Sequence, residues 1–123
     1  MKKRILILGS GGLIGHQVYF YLKQFDEFQI INSSLTRKIS KDTILFDLRN
    51  SKKLDNLILK IKPDYIVNCV GLLIQDSKNR PLEAIYLNAY LPHLLKASAE
   101  KVNAKLIHIS TDCVFSGNKG VYS

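Results

Sequence analysis

The run Gly9-Ser10-Gly11-Gly12-Leu13-Ile14-Gly15 constrains the fold of this chain more than any other stretch. It follows the apolar run Ile5-Leu6-Ile7-Leu8 directly and opens an amphipathic segment. Glycines recur at fixed offsets where a strand passes into a helix so tightly that side chains would obstruct the turn or the approach of a pyrophosphate. The helix that follows offers N–H groups without intrahelical partners and a partial positive charge. Such a pattern is weak alone. Here the expected strand precedes it, the expected helix follows, and it stands at the start of the chain, so it reads as a dinucleotide-binding turn.

A chain of 123 residues makes one domain, large enough for its own core. With 46% hydrophobic and 23% charged residues, it has the composition of a soluble globular protein. No apolar run approaches the roughly 18 to 20 residues of a membrane span, and only four strongly apolar residues follow the basic Met1-Lys2-Lys3-Arg4 start. Neither a signal peptide nor a membrane anchor is expected. Cys69 and Cys113 lack metal-like spacing and sit in apolar runs, so they read as reduced, buried thiols of a cytoplasmic protein, with a disulfide as the alternative. No metal site is expected.

The net charge of +8 raises the question of nucleic-acid binding. The 18 basic residues are scattered, however, with no dense block and no aromatic interleaving, which argues against it. A phosphorylated cofactor suits the excess at least as well.

Short apolar runs alternate with longer amphipathic ones, the pattern of a parallel sheet with helices on both faces. Strands are expected at residues 4–8, 28–32, 43–46, 65–70 and 105–109, and helices at 12–25, 51–61 and from Pro81 onward. In the first helix Ile14, Val18, Tyr21, Leu22 and Phe25 form the predicted buried stripe. His16 lies off it, either solvated or close enough to the phosphate end to touch a cofactor. Pro92 falls inside the last helix and should bend it.

The loop Ser33-Ser34-Leu35-Thr36-Arg37-Lys38 bears on the cofactor. NAD sites place an acid about 20 residues beyond the glycines to hold the ribose hydroxyls, whereas NADP sites use small polar and basic groups around the 2′-phosphate. No acid occurs between Ser33 and Ser40. NADP(H) is therefore favoured, with Arg37 as the planar two-bond grip on the phosphate; NAD(H) and a merely solvated basic loop are the alternatives. Asp47, at a strand end, either accepts from an adenine amino group with Leu48 over the ring, or serves as the N-cap or turn acid before Ser51. Asn88, a poor helix former in mid-helix, either bonds to a neighbouring strand or is exposed. Ser110 and Thr111 end the fifth strand, where hydroxyls are more often structural than catalytic.

Four blocks together resemble the extended short-chain dehydrogenase/reductases, and within them the dTDP-4-dehydrorhamnose reductase group: the glycine run, Phe46-Asp47-Leu48, Ile66-Val67-Asn68-Cys69-Val70-Gly71 with Leu87-Asn88-Ala89, and Ser110-Thr111-Asp112-Cys113-Val114-Phe115-Ser116-Gly117. The last is the most specific. The resemblance implies a Rossmann-type doubly wound sheet of order 3-2-1-4-5 over residues 1–123. It implies cofactor contacts at Gly9, Gly12, Leu13, Ile14, Gly15, Asp47, Leu48, Cys69, Val70 and Gly71, and it puts Thr111 on the hydroxyl member of the catalytic Ser/Thr-Tyr-Lys set; Ser10 of the glycine run, Arg37 of the basic loop and Asn88 of the last helix complete the candidate cofactor contacts. In that set the tyrosine protonates the carbonyl as hydride arrives, the lysine lowers its pKa, and the hydroxyl orients the substrate.

The family's Tyr-x-x-x-Lys lies beyond the Ser-Thr-Asp block, and Tyr122 would need a lysine at a position past Ser123. Residues 74–78 also depart from the reductase pattern. The expectation is a cofactor-binding half of a nucleotide-sugar reductase without the sugar-binding lobe, inactive alone. It would associate with itself or with a complementary C-terminal half. The alternatives are a non-catalytic NADP-binding regulatory subunit and an epimerase or dehydratase fragment.

Overall fold

A computed structural model describes residues 2–70 and 81–109, and all structural statements concern these. The apolar runs form the strands β1 (Lys3–Leu8), β2 (Phe28–Ser34), β3 (Ile44–Leu45), β4 (Tyr65–Asn68) and β5 (Lys105–His108). All pairings are parallel, and the sheet order is β3-β2-β1-β4-β5. This is the Rossmann-type α/β arrangement expected from the alternating pattern. The chain order reverses beside β1, and in open sheets that switch point is where ligands bind, at the carboxyl ends of the strands.

β1 explains the central position through its composition. Its residues alternate faces with period two, yet Ile5, Leu6, Ile7 and Leu8 are all buried. Leu6 and Leu8 join Leu54, Ile58, Ile66, Leu91 and Leu95 in one core, while Ile5 and Ile7 join Tyr19 and Val67 in another. Helix α1 (Leu13–Leu22) covers the second face, and α2 (Ser51–Ile61) and the helix through Leu91 and Leu95 cover the first. Each fully buried Leu or Ile contributes about 1.5–3 kcal/mol, so the two clusters clamp the strand from both sides.

One expectation requires correction in part. Val18 and Leu22 of the predicted α1 stripe pack against the core, but the buried residues of the helix are Gly15 and Tyr19, whereas Tyr21 is 60% exposed. Gly15 sits close on the strand end, where a β-carbon would overlap the Gly9 carbonyl, and Tyr19 follows it one turn on along the same face. The segment after Pro81 runs helically to Lys101 with Pro92 inside it, as α3 (Pro81–Ile85), a π-helical turn (Tyr86–Tyr90) and α4 (Leu91–Lys101). Ile85, Tyr90 and Leu91 all keep right-handed helical dihedrals. A proline lacks the N–H for the i−4 bond and its ring crowds that carbonyl. The wider turn before it takes up the mismatch, so Pro92 does not break the segment.

Candidate functional site

The site grows from the glycine turn. Gly9 has φ +83°, a left-handed conformation that costs glycine little, and a β-carbon there would come within 2.7 Å of Val70 Cγ2. The Gly9 and Ser10 N–H groups both donate to the Ser33 carbonyl, at 3.0 and 2.9 Å, so the turn is tied to the end of β2. Gly12 is the N-cap of α1 and brings no side chain to it, and the first turn carries no acid. The positive end of the helix thus has no capping side chain and no acid in its own first turn, and it stands beside a cavity lined by Gly9, Gly11 and Gly12.

That cavity encloses about 310 Å³. It is walled by Ser34, Leu35, Thr36 and Arg37 after β2, by Phe46, Asp47, Leu48 and Arg49 after β3, by Cys69 and Val70 after β4, and by Leu87 on the π-helical turn. Five stretches of the chain, from the glycine turn to Leu87, therefore meet where the sheet order reverses. Tyr86 secures the far wall, its hydroxyl donating to the Leu48 carbonyl at 2.8 Å. Burial raises the Tyr86 phenol above its ordinary range, so it stays a donor.

Asp47 lines the cavity but caps no helix. Asn50 is the N-cap of α2, accepting from Lys53 N–H at 3.0 Å. Asp47 acts as the turn acid: it accepts from the Arg49 backbone N–H at 2.9 Å and takes the Arg49 guanidinium on both carboxylate oxygens, the shortest contact being 2.6 Å. Hydrogen bonds from Arg49 hold the Asp47 carboxyl below the usual carboxylate range. Both side chains are substantially exposed, so the pair shapes the wall more than it stabilises the fold.

The remaining predicted residues divide. Gly9, Gly12, Arg37, Asp47, Leu48, Cys69 and Val70 line the cavity. Ser10 is fully buried and turned inward: its hydroxyl donates to Asn32 Oδ1 at 2.8 Å. Gly15 packs against the strand end, where a β-carbon would overlap the Gly9 carbonyl. Ile14 is half-buried and Leu13 is 78% exposed, and neither lines the cavity. Gly71 and Thr111 lie outside the described residues, as does the side chain of Asn88. Cys69 is half-buried, and burial pushes its thiol up to about 11.

Gly11, Ser34, Thr36 and Arg49 line the cavity without having been singled out in the sequence. A signal for Arg49 was present two residues after Asp47, where a base can close a turn onto an acid. Tyr19 and Lys23 share the Tyr-x-x-x-Lys spacing, but Tyr19 is a buried core residue with the Lys23 ammonium 5.8 Å from its ring centroid, and neither lines the cavity. Among the described residues no group of His, Cys, Asp and Glu could hold a metal, and no helix is long and apolar enough to cross a membrane.

With this geometry in place, comparison with known proteins is informative. The family model described as "RmlD substrate binding domain" matches residues 2–123. Methionine adenosyltransferase 2 subunit beta of Bos taurus is 31% identical over 122 residues, covering 98% of this chain and 36% of that protein. The dTDP-4-dehydrorhamnose reductase of Shigella flexneri is 28% identical over 115 residues, covering 93% of this chain and 36% of the enzyme. The crystal structure of dTDP-4-dehydrorhamnose reductase from Bacillus anthracis in complex with NADP superposes with a TM-score of 0.77 at 27% identity, covering 96% of this chain and 39% of that one. The chain thus spans little more than a third of the length of these relatives.

Proposed function

The chain belongs to the family of the RmlD substrate binding domain, among the extended short-chain dehydrogenase/reductases, and from that membership we propose that residues 1–123 form the NADP(H)-binding unit of a nucleotide-sugar reductase. The reaction served is reduction of a 4-keto sugar nucleotide. One observation carries the reading: the glycine turn, the Arg37 loop and the Asp47-Leu48 strand end all line a single cavity at the sheet's switch point. The family description speaks of substrate binding, but the described residues form a cradle of the kind that takes a dinucleotide. The NADP complex of the Bacillus anthracis reductase supports the same cofactor.

In this reading the glycine turn and the α1 N-terminus hold the pyrophosphate, Arg37 takes the 2′-phosphate, and the adenine lies between the β2 loop and Asp47-Leu48. Thr111 orients the substrate carbonyl. Residues 1–123 contain no Tyr-x-x-x-Lys after Thr111, so a polypeptide of these residues alone would bind cofactor without turning over substrate. Calorimetric titration with NADPH and NADH tests the binding half, and tighter binding of NADH would overturn the preference for NADP(H). The catalytic half is tested by incubating the polypeptide with NADPH and a dTDP-4-keto sugar, where loss of NADPH absorbance would contradict it.

A second reading is favoured by the likeness to methionine adenosyltransferase 2 subunit beta: an NADP-binding regulatory subunit that needs no catalytic pair. Co-sedimentation with a methionine adenosyltransferase catalytic subunit would support it, and separate migration would exclude it.

A further inference from the structure

We propose that Gly11 determines cofactor specificity: its missing side chain leaves the space in which Ser34 and Arg37 close against the phosphate turn, and this favours a 2′-phosphorylated dinucleotide over an unphosphorylated one. The inference rests on the reading of the cavity as an NADP(H) site. The two adjacent glycines differ in what faces them. A β-carbon on Gly12 would meet nothing nearer than the Gly9 carbonyl oxygen at 3.6 Å, an ordinary contact. A β-carbon on Gly11 would overlap Ser34 Oγ and stand 3.2 Å from Arg37 Cβ and 3.3 Å from the Arg37 carbonyl oxygen. Gly12 therefore serves the turn, whereas Gly11 serves the loop that lies across it.

The loop cannot simply swing away to admit a side chain. Asn32, 1% exposed, accepts from Ser10 Oγ at 2.8 Å and donates through Nδ2 to Ser40 Oγ at 3.4 Å. Thr43 Oγ1 accepts from the N–H groups of Ile39 and Ser40 at 3.2 and 3.1 Å. These bonds hold both ends of the loop, one of them to the phosphate turn itself, while residues 35–38 between them are exposed.

Ser34 is 7% exposed and lines the cavity. Its Oγ accepts from the Arg37 N–H at 3.3 Å, and among the described residues no acceptor takes the hydroxyl proton. That proton is left to donate into the cavity beside the Arg37 side chain. A phosphate dianion gains charge-assisted bonds from such a pair, whereas a ribose hydroxyl gains far less. A side chain at position 11 would therefore disturb the groups that distinguish the two cofactors.

The test is calorimetric titration of the 123-residue chain and of Gly11→Ala, Ser34→Ala and the double variant with NADPH and NADH. Gly11→Ala should lower the NADPH-to-NADH affinity ratio about tenfold while moving NADH affinity no more than about twofold, the size expected for loss of one charged hydrogen bond. In the double variant the overlap is relieved, and the ratio should return to within about threefold of Ser34→Ala alone. If Gly11→Ala does not fold, the double variant against Ser34→Ala decides: a ratio still about tenfold lower overturns the proposal. Equal weakening of both cofactors by a folded Gly11→Ala overturns it too, because Gly11 would then serve only the turn. A wild-type chain that prefers NADPH with an unchanged ratio in Gly11→Ala sinks this inference alone. A wild-type chain that binds neither dinucleotide sinks the reading beneath it as well.

Discussion

Across the β4–β5 pair, Asn68 Nδ2 lies 3.1 Å from His108 Nδ1. The Asn68 Oδ1 accepts from the Val70 N–H at 3.0 Å, so the amide nitrogen is the group that faces the ring and His108 Nδ1 must accept. The bond therefore exists only with a neutral imidazole. It joins the strand end that leads into the cavity to the strand that leads toward Ser110.

Burial lowers the His108 pKa from its ordinary value, which agrees with a ring that has to accept. The folded state then binds the ring proton less readily than the unfolded state, so stability falls with decreasing pH. The stabilisation is complete above about pH 6.5 and is lost as pH falls through the lower folded value. Urea melts of the wild-type chain and His108→Gln across that window should converge as pH drops. A constant gap between the two would show that His108 titrates as in the unfolded chain.

Asp55 ties α2 to α4. It accepts from the buried Ser98 hydroxyl at 2.6 Å and pairs with Lys101 at 3.1 Å. Asp55→Ala strands the Ser98 hydroxyl and should cost about 1–2 kcal/mol, whereas Asp55→Asn retains an acceptor and should cost less. The Ser98 hydrogen bond, and after it the Lys101 bond, hold the Asp55 carboxyl below its usual range. Its contribution is therefore present above about pH 4 and disappears as pH falls through the folded value. Denaturant midpoints at neutral and acid pH measure this, and an Asn variant as unstable as the Ala variant would argue against the hydrogen-bond account.

Cys69 lines the cavity with its thiol pushed up to about 11. At that value almost none of the thiol is ionised at neutral pH, and the thiolate is the nucleophile. In a Cys113→Ser background, iodoacetamide should alkylate Cys69 at least about tenfold more slowly than free cysteine, with NADPH slowing it further. Fast labelling that NADPH does not change would place the thiol outside the cofactor's reach.

Apolar side chains stand exposed on the segment before α4 and on the outer strand: Leu82, Ile85 and Tyr90, and Ile107 of β5. Clustered exposed apolar surface drives association. Sedimentation velocity should show mass increasing with concentration, and Leu82→Glu with Ile85→Glu should reduce it. A concentration-independent monomer for the wild-type chain would refute the expectation.

Much of this was legible in the residues themselves because it is local. The continuous hydrophobicity of Tyr65 to Val70 marks a central strand covered on both faces, and β4 lies between β1 and β5 with Ile66 and Val67 buried; the helix over 51–61 follows from the spacing of Leu54, Leu57, Ile58 and Ile61. In α1 the period places Val18 and Leu22 on the core but assigns Tyr21 to it in place of Tyr19, because the period alone does not register how closely Gly15 draws the helix onto the strand. The π-helical turn before Pro92 was missed for a related reason: a proline forbids a bond, but the surroundings choose how the chain accommodates its loss.

The sequence by itself determined the glycine turn, the absence of an acid in the loop after β2, and the parallel alternating order, since each depends on neighbours along the chain. Only the tertiary structure decided that Gly11 faces Ser34 and Arg37, that Arg49 occupies the Asp47 carboxylate, and that Asn32 ties the phosphate turn to the loop beyond β2. These are contacts between strand ends brought together by sheet order. Their geometry depends on how the layers pack, and no spacing in the chain encodes it.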